Sequence, residues 1–353
     1  MKIRELGAEI GKLPTGAKNC ITDVEGVHVG HVTLDYPLDD QGHEYACTGV
    51  TAILPHGGNL FREKVVAASY VLNGYGKTTG LVQLDELGVL ESPIMLSNTF
   101  AVPAVTQGTL EWLFAENPEI GETTGTVNVV VGECNDGYLN STRLFPVRPR
   151  HAREAIEKAS TATVEEGAVG AGKGMVCFEH KGGIGSASRV VDGFTVGCLV
   201  LSNFGKKEEF RGFQYRGSVG RENEEECGND RISSSTDGSI IIVLATDAPL
   251  SDRQLRRVAK RCGIGLARTG SHYSHSSGDI VIAFSTANKI PYFSNNMLME
   301  TMTQIREDHS IMNGLFMAAA EATEEAIVNS LAQAVTTKGR AGRVVKHMDL
   351  DVM

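Results

Sequence analysis

The apolar positions of this chain fall into two kinds of run. Short stretches rich in β-branched residues and bounded by turn formers lie at 126–131, 195–201, 239–245 and 279–285, with a weaker one at 93–96. They predict strands, and their continuous rather than alternating apolar character predicts strands covered on both faces. Helical spacing marks 60–72, 107–115, 252–267 and 313–335. The third of these opens on Ser251, with Gln254 three residues later, the pattern of a reciprocal N-cap. The last sets Ala318, Ala319, Ala322, Ile327 and Leu331 among glutamates, which predicts an amphipathic surface helix. The two kinds of element alternate without repeat or linker, so the class is α/β or α+β around a sizeable sheet core. The most polar segment, 206–237, gathers Glu222, Glu224, Glu225 and Glu226 and reads as a solvated loop leading into Ser239.

Composition narrows the picture. A chain of 353 residues can form one large domain or two ordinary ones. Forty glycines against ten prolines point to tight turns and close backbone approaches. A formal charge of −10 and a pI near 5.5 argue against nucleic acid or an anionic membrane as partner. The seven cysteines are scattered and never spaced Cys-x-x-Cys, so reduced thiols in a cytoplasmic protein are expected. The first residues lack the apolar core of a signal peptide, and no run approaches a membrane span.

Several motifs are weaker than they look. The run 167–174 nearly spells a phosphate-binding loop, but Gly174 stands where a hydroxyl should hold magnesium. A glycine-rich turn is the better reading. His28 and His31, and His272 and His275, form His-x-x-His pairs without the glutamate of a zinc helix and read as loop histidines. No Gly-x-Ser-x-Gly elbow occurs.

Other positions concentrate chemistry. Glu133, Tyr138 and Asn140 follow one apolar strand, and Asn203 ends another, where side chains commonly line sites. Tyr138 and Asn203 could donate to a developing oxyanion, and a turn role for Asn203 beside Gly205 is the alternative. If an extended strand begins at Ser277, then Ser277 and Asp279 face one side, offering a hydroxyl and a carboxylate to one place, unless they simply form a polar strand start. Asp237-Gly238-Ser239 joins a polar stretch to an apolar run. It is either a plain loop-to-strand turn or a bond the protein cuts in itself. Cleavage would leave Ser239 with hydroxyl and α-amine on one residue, the amine close enough to neutrality to serve as base.

Taken together these segments resemble the L-aminopeptidase/D-esterase (DmpA-like) family, which includes the β-peptidyl aminopeptidases. The matching text comprises 19–31, 48–55, 137–140, 167–176, 181–189, 237–250, 277–280 and 322–327, nearly the whole chain. The resemblance implies a four-layer αββα sandwich like that of the N-terminal-nucleophile hydrolases, with its own connectivity. It implies a single domain cut between Gly238 and Ser239 into fragments 1–238 and 239–353, assembled as a homotetramer without metal or organic cofactor. By the same resemblance Ser239 is the nucleophile, Ser277 and Asp279 assist it, and Tyr138 and Asn203 stabilise the tetrahedral intermediate. Some members carry glutamate where this chain has the shorter Asp279. Glu133 is the candidate to meet the free amine of a small peptide, amide or ester substrate. The rival readings are an acyltransferase of the ornithine acetyltransferase type, which places threonine at the cut, and an uncleaved ligand-binding protein.

Overall fold

The computed structural model describes residues 1–212, 238–293 and 298–350. Along the chain run strands β1 (His28–Pro37), β2 (Tyr45–Leu54) and β3 (Glu63–Gly74), then helix α1 (Leu81–Leu87) and strands β4 (Val89–Leu90) and β5 (Ile94–Asn98). Helix α2 (Val102–Glu116), strand β6 (Val130–Cys134) and helix α3 (Pro149–Glu157) follow. The small hairpin β7 (Val176–Cys177) and β8 (His180–Lys181) leads into the long pair β9 (Gly183–Val191) and β10 (Phe194–Asn203). Strand β11 (Ser239–Thr246), helices α4 (Asp252–Ala259) and α5 (Cys262–Thr269), and strand β12 (Gly278–Pro291) form a parallel crossover unit. Helix α6 (Ile311–Ala332) and the hairpin β13 (Thr337–Lys338) and β14 (Val344–Val345) complete the order.

Two sheets face one another. One has the order β1-β2-β5-β6 and the other β4-β3-β12-β11-β10-β9. Helices α2 and α3 cover the outer face of the first, and α4, α5 and α6 that of the second, giving four layers. Strand β11 shows why: Ile240, Ile242 and Leu244 enter the core beneath the helices, while Ile241, Val243 and Ala245 enter the core between the sheets. With both faces buried, the period-2 alternation of a strand is invisible in its hydrophobicity.

That same effect accounts for the first of several departures from the sequence reading. The helix expected at 60–72 is strand β3, whose Val66 and Ala68 face one core and Val65 and Ala67 the other. The strand expected at 126–131 begins at Val130 and continues to Cys134. The single helix at 252–267 is two, broken at Lys260 and Arg261. The Ser251 cap forms as expected, with the Gln254 N–H donating to Ser251 Oγ at 3.3 Å. His28 and His31 stand on β1 rather than in a loop. Strands β1, β2 and β9 were not among those read from the sequence. The segment 167–174 is a close-packed turn: a Cβ on Gly172 would lie 2.5 Å from the Ile184 nitrogen. The polar run 206–237 lies outside the described residues beyond Gly212.

Helix α6 is the largest correction. It is buried nearly all round, including Glu321, Glu324 and Glu325. The chain's first residues wrap over it. Arg4 and the fully buried Arg189 both bond Glu325, at 2.8 Å and 2.6 Å, and the backbone N–H groups of Lys12 and Leu13 donate to Glu321. Burial pushes the Glu325 carboxyl up, but the bonds from Arg4, Arg189 and Asn19 outweigh it and leave the pKa lowered. Glutamates read as a solvent face are internal ion-pair partners.

Candidate active site

Three neighbouring strand ends of the six-stranded sheet meet at one place. Antiparallel pairing sets Asn203, the last residue of β10, opposite Ser239, the first of β11, and parallel pairing sets Ser239 beside Gly278 of β12. Ser239, Asn203, Ser277 and Asp279 are all buried. Ser239 Oγ accepts the Gly278 N–H at 3.2 Å. Preceding it, Gly238 presses on the chain after Asn203, since a Cβ there would sit 2.6 Å from Phe204 Cα. Only glycine fits that approach.

Ser277 Oγ donates to Asp279 Oδ1 at 2.7 Å, so the two side chains do face one side. Asp279 Oδ2 is buried with no hydrogen-bond partner among the described residues. Burial raises the Asp279 pKa to about 6, only partly offset by the Ser277 hydroxyl. The turn that delivers Ser277 is held by Asn73 of β3, whose Nδ2 shares its two hydrogens among the carbonyls of Ser274, His275 and Ser277. No pattern in the sequence singled out Asn73.

Asn203 is gripped at both ends of its amide. Its Oδ1 accepts the Val176 N–H at 2.9 Å and its Nδ2 donates to the Asn135 carbonyl at 3.0 Å. An amide nitrogen carries two hydrogens, so one remains for a further acceptor. Tyr138 belongs to the same loop as Asn135; its ring lies under the Arg343 guanidinium at 4.8 Å. The loop is tied down through Asn140, which donates to Asp136 and accepts the Cys47 N–H.

Glu133 lies at the end of β6 and is buried. Lys77 N–H donates to its Oε1 at 2.8 Å, and the Thr99 hydroxyl donates to its Oε2. Gly76 lies between it and the strand ends: a Cβ there would lie 3.0 Å from Ile280 Cδ1, 3.8 Å from Glu133 Oε1 and 3.9 Å from Gly278 Cα. A carboxylate with two fixed donors and no salt-bridge partner among the described residues therefore stands near Gly76, which also adjoins Gly278. Thr99 and the Lys77 backbone escaped the sequence reading, although Thr99 does follow a strand end.

The sequence model of peptidase family S58 matches residues 19–345. The chain belongs to that family. It is 39% identical to the β-peptidyl aminopeptidase of Sphingosinicella microcystinivorans, over 98% of this chain and 89% of that one. Among solved structures, a protein from Pyrococcus horikoshii OT3 superposes with a TM-score of 0.87 at 47% identity, covering 99% of this chain and 96% of the other. The L-aminopeptidase D-Ala-esterase/amidase of Ochrobactrum anthropi, described as a variant of the N-terminal-nucleophile hydrolase fold, also gives 0.87, at 32% identity and with 99% and 95% covered. The four layers are thus a variant of that fold, as the sequence resemblance implied, and this family member is a hydrolase of the aminopeptidase kind.

The remaining chemistry-bearing positions stand apart from this cluster. His31 is half-buried on β1, its Nδ1 bonded to the Thr51 hydroxyl, and desolvation of the ring lowers its pKa to about 4. His272 lies 3.6 Å from Glu209 in a surface turn. Among the described residues no group of three His, Cys, Asp or Glu side chains could hold a metal ion, and no helix is long and apolar enough to cross a membrane. The six described cysteines are free and buried.

Proposed function

We propose that the chain cuts itself between Gly238 and Ser239, and that the two fragments form an aminopeptidase releasing N-terminal residues from small peptides, amides or esters. The observation that carries this reading is the join of Ser239, at a strand start behind a glycine that tolerates no Cβ, to the buried Ser277–Asp279 pair one strand away. In the precursor, Ser239 Oγ attacks the Gly238 carbonyl and the acyl group shifts from nitrogen to oxygen. Water then cleaves the ester, leaving Gly238 as a carboxylate and Ser239 with a free amine. The orphaned Asp279 oxygen gives the Ser277–Asp279 pair a reason to hold that new amine.

In the mature enzyme the amine takes the proton of Ser239 Oγ as the oxygen attacks a substrate carbonyl, and returns it to the leaving amine. Asn203, with Tyr138, donates to the oxyanion; water resolves the acyl-enzyme. Glu133 receives the substrate's ammonium, which explains a buried carboxylate held by two donors without a cation among the described residues. The identity to a β-peptidyl aminopeptidase supports testing β-residues beside α-residues. We further propose a homotetramer in the cytoplasm. The six buried free thiols support a reducing compartment, and sedimentation velocity reads the assembly.

N-terminal sequencing of the smaller fragment should begin at Ser239, and Ser239→Ala should yield one uncut, inactive chain. An alanine variant still split at this bond would assign the cut to another protease. Alanine amide should turn over and N-acetylalanine amide should not. Leaving a buried carboxylate unpaired costs ~2–5 kcal/mol, roughly 30- to several-thousand-fold. Equal kcat/KM on both amides would favour the acyltransferase or a general amidase. A Glu133→Gln variant with full preference for the free amine would displace Glu133 alone.

A further inference from the structure

Lys181 is fully buried and has no carboxylate partner among the described residues. Its Nζ instead donates to three backbone carbonyls, Gly172 at 2.9 Å, Met175 at 2.7 Å and Gly182 at 2.7 Å. Three acceptors at that range need three N–H bonds, which only the ammonium carries. Burial pushes its pKa down to about 7, against the opposing pull of Cys47, Cys177 and Asp136. A buried cation without a counter-charge is costly, so its position needs a reason.

The reason lies in the peptide unit between Met175 and Val176. Its carbonyl accepts from Lys181, and its N–H donates to Asn203 Oδ1 at 2.9 Å. A planar peptide transmits orientation from one end to the other. Hydrogen bonds in a chain also polarise one another at low dielectric. The path therefore runs from the ammonium through one peptide into the Asn203 amide, and ends at the Nδ2 hydrogens. The hairpin that carries this peptide is itself under strain: Phe178 and Glu179, at its turn, have φ of +50° and +61°. Left-handed backbone at non-glycine residues persists only where surroundings enforce it. The buried Phe178 ring, packed on Phe204 and Phe210, and the Lys181 ammonium, at the hairpin's last residue, are the two anchors.

We propose that Lys181 is a positioning residue for the oxyanion donor, acting on Asn203 through the Met175–Val176 peptide. This rests on the reading of Asn203 given above, and the test separates the two. Removing an oxyanion donor costs ~10²–10³ in kcat, so Asn203→Ala should fall in that range. Lys181→Met should lower kcat about 10-fold, the share of that effect owed to its support, while KM stays within about twofold. Lys181→Gln, which keeps a donor, should recover part of the loss and serves as the second variant if methionine does not fold. In the Asn203→Ala background, Lys181→Met should cost nothing more, because its route is gone. All rates are normalised to the cleaved fraction. If Asn203→Ala is as active as the parent, the Asn203 reading fails and this proposal with it. If Asn203→Ala is impaired but the Lys181 variants are not, or lose as much again on top of it, Lys181 does not act through Asn203.

Discussion

Asp279 sets solvation against placement at a single residue. Its carboxyl is buried, bonded on one oxygen by Ser277 and on the other by nothing described, which raises its pKa to about 6. An unfolded aspartate titrates near 3.9. Between those values the folded chain binds more protons than the unfolded one, so this group's contribution to stability falls as pH rises through about 4 to 6 and stays low above. The penalty at neutral pH is up to about 3 kcal/mol. In the uncut Ser239→Ala background, Asp279→Asn should therefore raise Tm at pH 7.5 relative to its parent and leave it little changed at pH 4. In the cleaved enzyme the same substitution should lower turnover ~10²-fold and remove an acid limb near pH 6 from the kcat/KM profile. Parental turnover in fully cleaved Asp279→Asn would take this carboxyl out of the mechanism. Here the sequence was informative: residues 277 and 279 fall on one side of any extended strand. Its silence about Asn73 was equally physical, because Asn73 meets the 274–277 turn only across a strand pairing some 200 residues distant in sequence.

Elements were legible where a local signal marks them and illegible where the pattern fits two periods or the burying partners come from far along the chain. Strand β11 and the Ser251 cap of α4 follow from local chemistry: a β-branched run, and a side chain that satisfies its own helix end. Strand β3 and helix α6 do not. Glu63–Gly74 has apolar residues on both faces, and over so short a run the strand and helix periods both fit. Helix α6 has the spacing of a surface helix, yet Arg189 from β9 and Arg4 from the chain's start bring the cations that let its glutamates go inside. Close contact enforces the same packing. A Cβ on Gly185 of β9 would overlap the Ala326 carbonyl of α6, so the strand meets the helix backbone directly. Strand β9, with five small residues in Gly183–Ser188, lacks the bulk by which strands are recognised.

On the scale of the molecule, the proposed cut interleaves its products. The six-stranded sheet reads β4-β3, then β12-β11, then β10-β9: the central pair belongs to 239–353 and both flanks to 1–238. Helix α6, from the smaller fragment, packs chiefly on β9 and β10 of the larger. Pulling the fragments apart would unzip two strand pairings and open two cores at once. The cleaved protein should therefore elute as one species in native buffer, and its fragments should separate only in denaturant, with activity lost in the same transition. Fragments that part in native buffer while each keeps its secondary structure would show that the sheet is not the bond between them.

What the sequence determined by itself was the chemistry available and the local grammar. It supplied a serine behind a glycine at a strand start, a hydroxyl two residues from a carboxylate, polar groups at strand ends, and family text extensive enough to imply the sandwich. Which of these groups meet was decided by tertiary structure. Strand register places Asn203 opposite Ser239 and Gly278 beside it. Sheet stacking brings the Glu133 carboxylate near Gly76, which also adjoins Gly278. A lysine read only as part of a matching stretch becomes a caged side chain one peptide away from Asn203. The physical reason is common to all three: hydrophobic pattern encodes which faces are buried, not which neighbour buries them, and a site is made of neighbours.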